Sequence, residues 1–295
     1  LDTLRPFVQV TTPQPGVMAF FEKFKWMTCV MVDYDSCRRI AYENVEDACR
    51  EGIDYIELRY SPWFMAEAHG LQPEGVVEAV TEGIRAAEQE HPIRVNQLGI
   101  LSRQYGPQIA MKELEAELRY AHEFAGLDLA GDEEGFPGEL FRDHFRKARD
   151  AGWHITVHAG ESAGPESIWQ AVRELGAERI GHAVRAPEDP ALLDFLREKG
   201  IGVECNLTSN VQTSVVSDYA AHPMRLFMEK KILASINSDD PGISAINLRY
   251  EYEVAAPKAG LSPAMIRQAQ ENALLTAFLT EEEKTALRRK KSTGA

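Results

Sequence analysis

The sequence predicts an α/β fold, a TIM-type (β/α)8 barrel of which seven βα units are visible. Three observations predict it. Short apolar runs with strand character recur at 53–60, 93–101, 124–130, 153–158, 179–182, 201–206 and 232–237. Helical patterns fall between them at 73–90, 107–123, 139–151, 165–175, 190–199 and 221–230. Polar residues able to bind or move protons crowd the carboxyl ends of six of the seven runs, while the opposite ends, such as Asp150-Ala-Gly152 and Lys199-Gly200, are ordinary polar turns. Active sites of such barrels sit at the strand carboxyl ends. An open doubly wound sheet also accommodates seven strands, but no G-x-G-x-x-G follows any of them, which argues against a dinucleotide site.

In chain order, residues 6–16 carry three prolines and a glycine and read as a loop. Residues 17–26 place Phe20, Phe21, Phe24 and Trp26 at helical spacing, either a helix packed on the core or an apolar lid over a pocket. Cys37, Ile40, Ala41, Val45, Ala48 and Cys49 recur every third or fourth position across 36–51, an amphipathic helix stopped by Gly52. The strand at 53–60 follows at once and ends at Ser61-Pro62, and the alternation continues from there. Residues 262–289 read as a final helix, and 290–295 as a frayed end. No repeat, low-complexity segment or linker divides the chain, so 1–295 is read as a single barrel catalytic domain. Because a closed barrel needs eight strands, the first βα unit is expected upstream of Leu1, and the domain is read as N-terminally incomplete.

Composition narrows the partners. With 32 basic and 46 acidic residues the net charge is -14, a surface that repels polyanions, so nucleic acid and anionic membranes are not expected as partners. Cys29, Cys37, Cys49 and Cys205 form no C-x-x-C pair and no dense framework, and no signal peptide or long apolar run is present, which points to a reducing, cytoplasmic setting.

The stretch from Trp153 to Trp169 holds the most concentrated chemistry. A strand delivers His158 to its carboxyl end, Gly160 permits a tight turn, and Glu161 hangs over the same spot. Alone, this bend reads equally as a hydrogen-bonded core histidine beside a helix-start acid, or as a metal ligand beside a proton carrier. His158, His182 and Asp239 are ligand types that suit zinc, and Glu161 and His182 are the candidates for proton handling. Asp239-Asp-Pro-Gly242 also fits a plain turn. His154 shares the face of His158 and is expected to fill the barrel interior, whereas His69, His91, His122, His144 and His222 read as structural or solvated.

The segments Glu57-Leu-Arg-Tyr-Ser-Pro62, Asp128-Leu-Ala-Gly-Asp-Glu133, His158-Ala-Gly-Glu161, Arg179-Ile-Gly-His182, Thr208-Ser-Asn210 and Ser235-Ile-Asn-Ser-Asp-Asp-Pro241 together resemble the adenosine deaminase family, most closely its bacterial members. The resemblance implies a zinc-dependent barrel of the amidohydrolase superfamily that converts adenosine or 2'-deoxyadenosine to the inosine product and ammonia in purine salvage. It implies His158 and Asp239 as zinc ligands and Glu161 as the proton donor to purine N1. His182 would orient the attacking hydroxide, Gly131 would hydrogen-bond N3 through its backbone, and Asp240 would hold N7. The partner implied is a small purine nucleoside, and oligomeric state is left open. The chain departs from the pattern in having no His-x-His, which in the family's first strand supplies two further zinc ligands; both absences are read as one upstream segment. Another amidohydrolase-type metal hydrolase, or a metal-free inactive barrel, are the alternatives. The H-x-E with P-C-x-x-C plan of cytidine and tRNA-editing deaminases does not occur.

Overall fold

A computed structural model describes the backbone of residues 2–293 and side chains through residue 290. Leu1 and the end of the tail expected to fray, Gly294 and Ala295, lie outside the described residues. Seven parallel strands pair in the order of the chain: β1 (Tyr55–Tyr60), β2 (Arg94–Ser102), β3 (Phe124–Ala130), β4 (His154–Ala159), β5 (Arg179–His182), β6 (Gly202–Cys205) and β7 (Leu233–Ile236). Every pair is parallel, and β1 and β7 are the edges among the described residues. The sheet is therefore the curled α/β barrel wall that the alternation predicts. No helix is long and apolar enough to cross a membrane among the described residues.

Helices form where local chemistry starts and stops them. The helix Pro190–Lys199 begins at Asp189, whose carboxylate accepts from the Ala191 N–H at 2.9 Å, continues with proline at its first position, and ends on Gly200 at φ 66°. Its Leu192, Leu193 and Leu196 face the sheet. Leu127, Leu129, Ile155, Val157, Ile180 and Val203, on the outer strand faces, bury against these leucines and against Leu114, Phe145 and Phe227 of other helices. Each such side chain contributes roughly 1.5–3 kcal/mol relative to exposure.

The inner face is built differently. Arg59 on β1 donates to Asp128 on β3 at 2.8 Å and to Glu204 on β6 at 3.0 Å. Arg179 on β5 pairs with Glu204 at 2.9 Å and with Glu57 at 2.5 Å, and Thr156 donates to Glu204 at 3.0 Å. This ladder of opposite charges fills the barrel where His154 was expected. His154 instead lies at the amino end of β4, half exposed, paired with Glu178 and stacked on Phe278 at 4.6 Å. The reason is its depth: the side chain four residues before the strand's carboxyl-end histidine reaches the barrel floor.

Phe278 also explains why the final helix is not continuous. It breaks into Pro263–Thr276 and Glu281–Thr293, and in the gap Phe278 closes the barrel floor, beneath the Arg179 guanidinium at 3.5 Å and with its N–H donated to Glu57 at 2.7 Å. The N-terminal aromatic stretch is likewise two short helices, Val17–Phe21 and Phe24–Thr28, with Phe20 buried and Phe24 edge-on to Phe64.

One buried acid lacks compensation. On the helix Gly106–Leu118, Glu113 accepts from Ser61, Trp63 and Ser102, but both oxygens of the fully buried Glu117 have no hydrogen-bond partner among the described residues. Burial, and then the neighbouring Glu113, push the Glu117 carboxyl well above the ordinary carboxylate range. An acid with a raised folded pKa costs stability as pH rises above its unfolded value, because only the unfolded chain then gains by ionising. Glu117→Gln is therefore expected to raise Tm at pH 8, by about 2–4 °C for each kcal/mol recovered, and to change it less at pH 5; scanning calorimetry at both pH values checks this. An equal shift at the two pH values would contradict a neutral Glu117.

Candidate active site

The carboxyl ends of β3, β4, β5 and β7 meet at one mouth, and the backbone there is bent into unusual shapes. Gly131 follows β3 at φ 110°, where an added Cβ would lie 1.9 Å from the Gln104 Oε1. Gly160 follows β4 at φ 68°, where a Cβ would meet Ile168 at 2.4 Å. His182, Ala183 and Asp239 take positive φ without being glycine, at 69°, 51° and 57°. Such conformations cost energy and persist where the surroundings enforce them, often at functional sites.

These bends bring His158, His182 and Asp239 together, with one potential ligand atom from each inside a 4.8 Å circle. The His158 imidazole and the Asp239 carboxylate are donor types that suit zinc, so these residues fit a metal ion of that type, with the His182 ring beside them. Asp128 sets the orientation of His158. Fully buried, it accepts from His158 Nδ1 at 2.9–3.0 Å while Arg59 holds its other side. A proton fixed on Nδ1 leaves the Nε2 lone pair for a metal. Burial disfavours the imidazolium of His158, but the Asp128 carboxylate outweighs this and holds the ring up at about 9. Asp128 itself is driven far below the ordinary carboxylate range: burial opposes its charge, and His158 and Arg59 overcome that.

Glu161 stands beside this cluster, its Oε1 at 3.5 Å from His182 Nδ1 and accepting from Asn210 Nδ2 at 3.3 Å. Burial, assisted by Asp239, raises its carboxyl and outweighs the lowering effect of the two histidines. Glu133, buried, grips the turn that carries it. Its carboxylate accepts the N–H groups of Gly160, Glu161, Ser162 and Ala163 at 2.6–3.1 Å, so the Glu161 backbone has little freedom. Asp240 adjoins Asp239, and burial together with that negative neighbour pushes its carboxyl well above the ordinary range. Gly131 and Glu161 both line a cavity of about 440 Å³, which Val17, Met18, Asp132, Arg185 and Thr213 also border. Its volume is in the range of small-molecule sites. Val17 and Met18 put the first aromatic helix at the rim, while its Phe20 packs against Val10 and Ile243.

Several residues that organise the site carry no signal in isolation. Arg103, directly after β2, is buried and donates to the carbonyls of Leu129 and His158 at 3.1 and 2.7 Å, clamping two strand ends. Glu204 reads as an ordinary strand acid, and Asp128 and Glu133 lie inside the segment Asp128-Leu-Ala-Gly-Asp-Glu133 without showing their partners. The pairing of all three with groups on other strands, or on the turns after them, is a tertiary fact. Asn210 lay inside a recognised motif, but its contact with both His182 and Glu161 did not show in the sequence.

A parallel α/β barrel with a buried acid, two imidazoles and an aspartate converging at the strand carboxyl ends is the architecture of a barrel hydrolase. The comparisons narrow this. The adenosine deaminase family model matches residues 1–292, and the chain belongs to that family. It is 57% identical to the adenosine deaminase of Photorhabdus laumondii over 290 residues, covering 98% of this chain and 87% of that one. It is also 57% identical to that of Klebsiella pneumoniae over 287 residues, covering 97% and 86%. Among solved structures, the adenine deaminase of Arthrobacter aurescens shares the fold at a TM-score of 0.89 and 22% identity, over 97% of this chain and 86% of that one. The N6-methyl-AMP deaminase of Arabidopsis thaliana matches at 0.84 and 27%, over 96% and 85%.

Proposed function

We propose that this chain hydrolyses adenosine, and 2'-deoxyadenosine, to the inosine product and ammonia, with zinc as its metal. The observation that carries the reading is the His158, His182 and Asp239 cluster within 4.8 Å, with Glu161 beside it, in a chain 57% identical to adenosine deaminases. Zinc held by His158 and Asp239 would lower the pKa of a water to near neutrality and so supply the nucleophile.

The chain's own residues do the rest. The aromatic ring resists attack at C6 until N1 is protonated, and Glu161, whose carboxyl burial raises above its ordinary range, is the donor to N1. His182 orients the attacking water. The Gly131 backbone, free of a side chain at φ 110°, offers its N–H to N3. Asp240, whose carboxyl is raised by burial and by Asp239, holds N7. Contacts at N1, N3 and N7 fix the ring plane so that C6 faces the water, an advantage of orientation. Water adds at C6, and the amino group leaves as ammonia with a transferred proton. Val17 and Met18 at the rim help exclude bulk water.

The test follows the ultraviolet change as adenosine becomes inosine, with zinc content measured on the same sample. Turnover is expected to be lost on chelation and restored by zinc. Turnover that survives removal of the metal would refute the zinc reading, and a zinc-loaded protein inert towards both nucleosides would refute the substrate.

A further inference from the structure

Behind His182 lies a buried polar chain that the proposed reaction does not use. Asn210, on the short helix Leu207–Gln212, has no measurable exposure, and His222, in the turn before the helix Met224–Glu229, is also buried. Their hydrogen bonds have a definite direction. The Met224 backbone N–H donates to His222 Nδ1 at 3.1 Å, so that nitrogen carries no proton. The ring is therefore neutral, with its proton on Nε2. His222 Nε2 lies 3.1 Å from Asn210 Oδ1 and donates to it. This fixes the amide of Asn210, because the opposite orientation would set two donors against each other. The Asn210 NH2 group then faces the active site, 2.9 Å from His182 Nδ1 and 3.3 Å from Glu161 Oε1. The Asn206 amide nitrogen lies 3.2 Å from Nδ1 and 3.4 Å from Nε2 of the same ring, and so does not distinguish the two.

We propose that His222 and Asn210 are positioning residues that hold His182 in the tautomer with its proton on Nε2, through a line of donors beginning at the Met224 backbone. The Asn210 amide donor directed at Nδ1 requires a lone pair there, which leaves the neutral ring's proton on Nε2. An Nε2–H cannot offer a lone pair to a cation, and the Nδ1 lone pair is engaged. His182 thus meets the attacking water as a hydrogen-bond donor, while His158 and Asp239 hold the metal. The same Asn210 amide reaches Glu161, so one side chain sets the relative placement of the proton donor and the water-orienting ring. The catalytic consequence rests on the deaminase reading; the tautomer itself does not.

The test is long-range ¹H–¹⁵N imidazole NMR on protein labelled at histidine, with His182 assigned from the missing signals of His182→Gln. In the parent, Nδ1 of His182 is expected to show the shift of an unprotonated nitrogen and Nε2 that of a protonated one. Asn210→Asp keeps the shape but replaces the amide donor with an acceptor, so the two shifts should exchange. His222→Gln, which can still donate to Asn210, should retain the parent pattern, and His222→Leu should lose it. In the deaminase assay Asn210→Asp should lower kcat roughly 100-fold with KM changed less than about threefold. A protonated Nδ1 in the parent, or an unchanged His182 pattern in Asn210→Asp, would overturn the proposal. Because the NMR is read without substrate, a parent inert towards adenosine would refute the deaminase reading and leave the tautomer result to stand or fall separately.

Discussion

Glu161→Gln is expected to lower adenosine turnover by about 10³-fold or more while the metal content stays unchanged. The amide occupies the same volume and still faces Asn210 and His182, but it cannot deliver a proton to the ring nitrogen. The turn beneath it should not move, because Glu133 holds four successive N–H groups there, from Gly160 to Ala163. The loss should therefore appear in kcat, with KM little altered, since the contacts proposed for Gly131 and Asp240 do not involve this side chain. Parallel assays of turnover and bound zinc separate the outcomes. Loss of zinc in the variant would make Glu161 a ligand and refute its role as proton donor.

The second large effect is expected from Asp128→Asn, which acts on the fold and the site together. Asp128 is fully buried between Arg59 and His158, and removing its charge leaves the Arg59 guanidinium with Glu204 as its remaining partner. Breaking such a buried pair costs on the order of 3–5 kcal/mol. Metal affinity should fall roughly 10–100-fold, because the group that fixes the His158 proton on Nδ1 is lost. The pH dependence has a definite sign. A carboxyl held below its unfolded value of 3.8 stabilises the fold above that pH and loses its contribution as pH falls through the folded value. The imidazole held up at about 9 stabilises below its unfolded value of 6.5 and loses its contribution as pH rises through about 9. In the metal-free protein the stability gap between parent and variant should thus be widest between about pH 4 and 6.5, narrowing outside it. Urea unfolding at pH 5, 7 and 9 with equilibrium zinc titration checks both effects; a gap that widens towards pH 9 would contradict the Asp128–His158 pairing.

Much of the architecture was legible because strands and helices in this fold follow local patterns. The strand at 124–130 and the helix at 73–90 coincide with β3 and with Pro73–Glu90. Pro73 and Pro92 bracket that helix and Gly131 follows that strand, so the boundaries are marked within the chain itself. The final helix was misread as continuous because residues 277–280 carry no breaker; what ends it is the place of Phe278 under Arg179, about 100 residues away in sequence. His154 was placed on the correct face of β4 but at the wrong depth, since period-two alternation gives the side of a strand and not the level at which the barrel closes.

The candidate site divides along the same line. The sequence by itself determined the alternation of strands and helices, the convergence of polar residues on one mouth, and the chemical types available there: His158, His182 and Asp239 for a metal, Glu161 for a proton. The alternation and the residue types follow from neighbours along the chain and from motifs of fixed spacing; the roles proposed for them do not follow from those alone. Tertiary structure alone decided that Asp128 and Arg59 set the charge around His158, that Glu133 on another strand end holds the Glu161 turn, and that Asn210 and His222 order the donors behind His182. The physical reason is that a proton's position and a buried charge depend on distances of about 3 Å between residues 12 to 69 positions apart, and no local pattern encodes those distances.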